Sequence, residues 1–142
     1  MRFSDSYLDR LISPSDAVSL AELQAAIVSS KIFDPELTCY GLPASVFTFV
    51  ETLNWLSQSA RSGAWTYFES TPESRVTALL RTLGPAALSG LVEHYRLGAD
   101  YAMNVNQLRS VDEWIADNEH RLDAWLCKFV RSHDEEFRGL IA

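Results

Sequence analysis

The sequence predicts an all-α domain, and three observations carry that reading. Apolar residues recur at three- and four-residue spacing along most of the chain, the period of a helix with one face in a core. Proline and glycine stand mainly between these periodic stretches, where helices start and stop. No segment keeps the alternation of a half-buried strand. The expected architecture is a compact single domain over residues 1–142, built as a bundle of about six to eight helices.

Each element has its own local warrant. Ser4–Ile12 forms a short helix with Tyr7, Leu8 and Leu11 on one side. A second helix runs from Asp16 or Ser19 to Ile32. Ser19 and Glu22 make its capping box, and Leu20, Leu23 and Ile27 its apolar stripe. Asp34–Pro35 stops it, and Pro35, Gly41 and Pro43 make the next segment a loop. Pro43 opens a third helix. Val46–Val50 is strand-like in composition, but Val46, Phe49, Val50, Leu53, Leu56 and Ala60 keep helical spacing for four turns.

Ser62–Gly63 breaks that helix, and Ala64–Phe68 starts a short one. Thr71–Pro72–Glu73 supplies a cap, a first-turn proline and a first-turn acid to a helix that buries Val76, Leu79, Leu80 and Leu83. Gly84–Pro85 ends it and starts the next, which carries Ala87, Leu88, Leu91, Val92 and Tyr95 toward Met103. Asn104–Asn106 reads as a turn. Ser110 and Glu113 cap a further helix ahead of Trp114–Ile115, and Asp117–Asn118 interrupts it or caps another that runs to Ser132.

At 142 residues the chain is long enough to bury about two thirds of its unfolded surface. A hydrophobic fraction of 47% with four Trp supplies a real core and argues against disorder. The net charge of −7 opposes binding to bare nucleic acid or an anionic membrane surface. Met1–Ile12 lacks the apolar run of a signal peptide, and no stretch approaches the uninterrupted length of a membrane span. Cys39 and Cys127 stand far apart and read as reduced thiols, which fits a cytoplasmic protein.

Chemical motifs are sparse. Asp117 and His120 have the acid-x-x-His spacing of carboxylate-bridged di-iron bundles, but Leu91 precedes His94 at that spacing and Val130 precedes His133. His120 and Cys127 share a face without the four ligands of structural zinc or an orienting group for a nucleophile. Phosphate-binding glycine loops and the nucleophile elbow are missing. Glu51 and Asn54 do not make a carboxylate pair, since one is an amide. The expectation is a non-enzymatic protein with no catalytic residue, no cofactor and no metal site.

The last third of the chain is the most informative. Val111, Trp114, Ile115, Leu122, Trp125, Leu126, Phe129 and Phe137 keep a core-facing period. Asp112, Glu119, Asp123 and Asp134 project together on one flank with no Lys or Arg among them. Glu113, Asp117 and Glu135 fall on the other flank beside Arg121, Lys128, Arg131 and Arg138, where Asp117–Arg121 and Arg131–Glu135 are spaced to pair. Glu119 and Asp123 are separated by ~6 Å along a helix axis, close to the phosphate step of one nucleic-acid strand. A break at Asp117–Asn118 takes Asp112 out of the row. The bland alternative is an ordinary solvated face.

Several segments resemble a known family. Leu53–Asn54 followed by Ser62–Gly63–Ala64–Trp65–Thr66–Tyr67–Phe68 is similar to its asparagine/glycine-rich turn and aromatic pair. Ala78–Leu79–Leu80–Arg81–Thr82–Leu83–Gly84 is similar to its Ala-Leu…Gly segment. Val111–Asp112–Glu113–Trp114, Leu126, Phe129–His133 and Phe137 resemble its Leu-Asp…Phe, Tyr-Ile-x-x-His and terminal Phe pattern. The family is a bacterial domain of unknown function that includes the DMP-type DNA-mimic protein. The likeness spans roughly residues 46–137. It departs at Ser62–Gly63, which replaces a longer Asn/Gly run, and at Val111 and Phe129–Val130.

The resemblance implies an all-helical, often dimeric protein whose acidic surface occupies the DNA-binding face of a regulator. The leading expectation is therefore a binding module for a basic protein, a transcription factor or nucleoid protein, with Asp112, Glu119, Asp123, Asp134 and Glu136 as partner contacts. No direct nucleic-acid contact and no membrane are expected, and a homodimer is. The alternatives are an immunity or antitoxin protein that neutralises a basic toxin, an uncharacterised enzyme, and a purely structural subunit.

Overall fold

In the computed structural model, which describes residues 4–84, 87–100 and 105–141, the protein is all-helical. Nine helices and no strand occur among the described residues: α1 Asp5–Leu11, α2 Ala17–Val28, α3 Ala44–Ser62, α4 Ala64–Ser70, α5 Glu73–Leu83, α6 Leu91–Ala99, α7 Val105–Asp117, α8 Glu119–Ser132 and α9 Asp134–Ile141. None of them is long and apolar enough to cross a membrane. The chain divides into two compact units, residues 1–50 with 123–142 and residues 51–122.

The first unit is organised by its helix ends. Ser4 caps α1 by accepting the Tyr7 amide at 3.3 Å. The capping box of α2 lies one turn earlier than the sequence predicts. Asp16 accepts the Ser19 amide at 2.8 Å, and Ser19 Oγ accepts the Asp16 amide at 3.0 Å. Glu22 is thereby left to Tyr7 and Arg10. α2 also stops at Val28, before the expected Ile32. Leu20, Leu23 and Ile27 are buried with Leu8 and Leu11 of α1 and Phe137 and Ile141 of α9. Phe137 meets Phe49 edge-on at 5.5 Å. α9 is the helix beyond the expected count. The run Asp134–Glu135–Glu136 fills its first turn, where carboxylates complement the helix dipole, and the turn at His133 separates it from α8.

The second unit packs α6 on α5 and α7, and α4 on α6 and α7. Gly63, at φ 88°, makes the sharp step from α3 to α4 that a side chain would resist. Gly98 sits where a Cβ would come within 2.3 Å of the Phe68 ring, so α6 and α4 approach only because glycine is there. Two boundaries differ from expectation. α6 begins at Leu91, because Gly90 at φ 88° is left-handed and cannot continue a helix back toward Gly84. Residues 85–86 and 101–104 lie outside the described residues, so part of that expected helix and part of the expected turn fall there. α7 begins at Val105, ahead of Ser110. Leu108 extends the Val111–Ile115 stripe one turn upstream, and Gln107 ties this start to the end of α6 by donating to the Leu97 carbonyl at 2.7 Å.

Candidate protein-binding surface

The chain does break at Asn118, and the predicted acids go to different duties. Asn118 closes α7 by donating to the Trp114 carbonyl at 2.8 Å, while its own carbonyl accepts the Leu122 amide of α8 at 2.8 Å. Asp112 leaves the row and caps another helix: its Oδ1 accepts the Ala64 amide at 2.8 Å. That amide is one of the donors a helix start leaves without an intrahelical partner, and the Gly63 N-cap has no side chain to take it. Asp134 is paired with Arg138 at 3.6 Å, and Arg138 also holds Asp9 at 2.9 Å. Glu136 accepts the Ser45 hydroxyl. Glu119 is exposed in the first turn of α8, and Asp123 is half-buried one turn further on.

The flank expected to neutralise itself does not do so. Arg121 donates to the Asn118 side-chain oxygen at 2.6 Å and makes no ion pair with Asp117 among the described residues. Arg131 donates to the Pro14 carbonyl at 3.0 Å instead of pairing with Glu135. In the second unit, Glu113, Asp117 and Glu119 are exposed around the α7–α8 break. The exposed acids at the break thus come from both flanks, Glu119 from the predicted one and Glu113 and Asp117 from the other. Helical projection places side chains by angle alone, and it misses that an arginine beside two acceptors takes the better-placed neutral one.

Sequence reasoning missed one buried acid. Glu51 is fully buried in α3, and its Oε2 accepts the Tyr67 hydroxyl at 2.6 Å. With that proton committed, Tyr95 donates to the Tyr67 oxygen at 2.8 Å. Trp55 packs edge-on against Tyr95 with ring centroids 5.1 Å apart. Burial first, then Tyr95 and Glu51, push the Tyr67 pKa well above its usual 10.0. The signal lay in the row Phe47–Glu51–Trp55, spaced i, i+4, i+8 along a helix that is buried nearly all round. Glu51, Tyr67 and Tyr95 are all fully buried, so the relay serves the packing of the second unit rather than contact with a partner.

Two of the three histidines are tied down. His94 donates from Nδ1 to the Gly90 carbonyl at 2.7 Å and stacks on Trp114 at 4.5 Å. His133 does the same with the Phe129 carbonyl at 2.9 Å, packed against the Phe129 ring. His120 is exposed. Burial pushes the Cys127 thiol up, away from thiolate chemistry. Among the described residues no three His, Cys, Asp or Glu side chains gather as a metal site. No family model matches the chain, and neither does a curated protein or a solved structure.

Proposed function

We propose that the protein is a non-enzymatic acidic module that binds a basic protein through carboxylates at the α7–α8 junction. The observation that carries this reading is the exposure of Asp117 and Glu119 on either side of Asn118, with Arg121 turned to the asparagine instead of to either acid. Glu113 adds a third exposed carboxylate, and Asp123 extends the acidic character along α8. The net charge of −7 draws a cationic partner toward any such surface and speeds encounter. Asp112, Asp134 and Glu136 already have partners within the protein and are secondary to the contact.

A DNA-binding regulator is the partner class we favour, because its cationic face attracts exposed carboxylates. That choice of partner rests on the resemblance to the DNA-mimic family. Immobilised protein exposed to host lysate and eluted with rising salt tests the reading. Elution of a basic DNA-binding protein by salt alone supports it. A partner that resists high salt and leaves only with detergent would assign the contact to an apolar surface instead.

A further inference from the structure

We infer that Trp65 is the anchor of the partner contact, a fixed indole on which an arginine of the basic protein stacks. This rests on the reading of a basic partner given above and adds the side chain that grips it. Trp65 is 55% exposed, and no other described Trp, Tyr or Phe is exposed. The other three tryptophans each pack on a ring: Trp55 on Tyr95 at 5.1 Å, Trp114 on His94 at 4.5 Å and Trp125 on Phe129 at 5.3 Å. Among the described residues Trp65 has neither a ring nor a cation against it. Arg61, exposed in the last turn of α3, leaves the indole uncovered.

The backbone on both sides of this ring is held. Gly63 turns the chain at φ 88°, and the Ala64 amide donates to Asp112 of α7 at 2.8 Å. Ala64 itself is fully buried. Thr66 Oγ1 donates to the Ser62 carbonyl at 3.1 Å, and Tyr67 belongs to the buried relay with Glu51. Trp65 therefore stands on a rigid step, and a partner meets a platform whose backbone has no further freedom to lose. That preorganisation lowers the cost of binding.

Charge selects the occupant. A net charge of −7 repels phosphates and anionic lipid, so an anion is a poor match for this ring. Glu69 is exposed one turn further along α4, on the side of Trp65. Glu113 is exposed on α7, next in sequence to the Asp112 that holds Ala64. A cation over the negative face of the indole thus has acids on two neighbouring elements of the same unit. Trp is the strongest of the aromatic rings for such stacking. A planar guanidinium covers the ring face to face and keeps its N–H groups for a carboxylate, whereas an ammonium is only a point charge. Trp and Arg are also the side chains that most often dominate protein interfaces.

Titration of the full chain with hexa-arginine and with hexa-lysine, followed by the indole N–H resonances, tests the inference. Trp65→Tyr identifies the Trp65 resonance by its loss. That resonance should move most, and hexa-arginine should bind more tightly than hexa-lysine. Trp65→Leu should weaken hexa-arginine about fivefold and hexa-lysine little, with helicity and Tm unchanged. Trp65→Tyr keeps a ring and should retain part of the preference, and Asp112→Asn keeps the cap and should retain all of it. Equal affinity for the two peptides, or a Trp65→Leu protein that binds hexa-arginine as wild type does, overturns the inference. If Glu119→Lys/Asp123→Lys then still weakens both peptides, the acidic contact stands without Trp65. Failure of both peptides to bind wild type overturns the two readings together.

Discussion

The Asp112 carboxylate accepts the backbone amide of Ala64, 48 residues away in sequence, at 2.8 Å. An acid that reads as one of a solvent-facing row is therefore a cap that α7 lends to α4. Two consequences separate this role from partner binding. Asp112→Ala should destabilise the protein by about 1 kcal/mol, the usual cost of losing a cap, as a lower denaturant midpoint. Asp112→Asn keeps an acceptor and should retain most of the stability. If Asp112 instead serves the partner, Asn will weaken capture and leave the midpoint alone.

The buried relay gives a prediction with a defined pH window. Tyr67 has its pKa raised above 10.0 in the folded state, so the folded protein keeps a proton that the unfolded chain releases. Below pH 10 both states hold that proton and it adds no pH dependence. Above pH 10 stability should fall by up to about 1.4 kcal/mol per pH unit from this group, until the folded pKa is passed. Tyr67→Phe removes that share of the alkaline slope and costs about 1–3 kcal/mol at neutral pH, because Glu51 and Tyr95 lose a buried partner. Thermal melts from pH 7 to 11 on both proteins measure it. Equal alkaline slopes would contradict the relay.

Gly98 sets how closely α6 approaches Phe68. Gly98→Ala builds a Cβ within 2.3 Å of the ring, which must move while packed against Tyr67 at 4.9 Å and Tyr95 at 5.4 Å. Elsewhere in a helix this substitution stabilises by up to about 1 kcal/mol. Here it should destabilise by about 1–3 kcal/mol, the typical cost of overpacking. The sign of the change in unfolding free energy is the decisive readout.

The helical class was legible because apolar period and breakers agree, as in α5, which Gly84 closes. Its start was read one residue early, since Pro72 is the N-cap and the Thr71 hydroxyl donates back to the Tyr67 carbonyl of α4 at 2.6 Å. Even the strand-like Val46–Val50 stretch is helical, in keeping with the three- and four-residue spacing that continues from it to Ala60. Boundaries were less legible where two signals compete. Ser19 suits a cap for Glu22, yet Asp16 captures it first, and Gly90 rather than Gly84 decides where α6 begins. The site was the least legible part. Whether Arg121 turns to Asp117 or to Asn118 depends on positions in space, as does the 48-residue reach of Asp112, and one-dimensional spacing holds neither.

The acidic contact is tested most directly by the salt dependence of binding to a captured partner, compared between wild type and Glu119→Lys/Asp123→Lys. Glu119 is exposed and Asp123 half-buried on α8, and the double variant should keep its helical content. Wild-type affinity should fall steeply as salt rises, and the variant should bind at least about tenfold more weakly at low salt, a loss of about 1.4 kcal/mol. Equal affinity of the two proteins, with the same dependence on salt, would contradict the proposal.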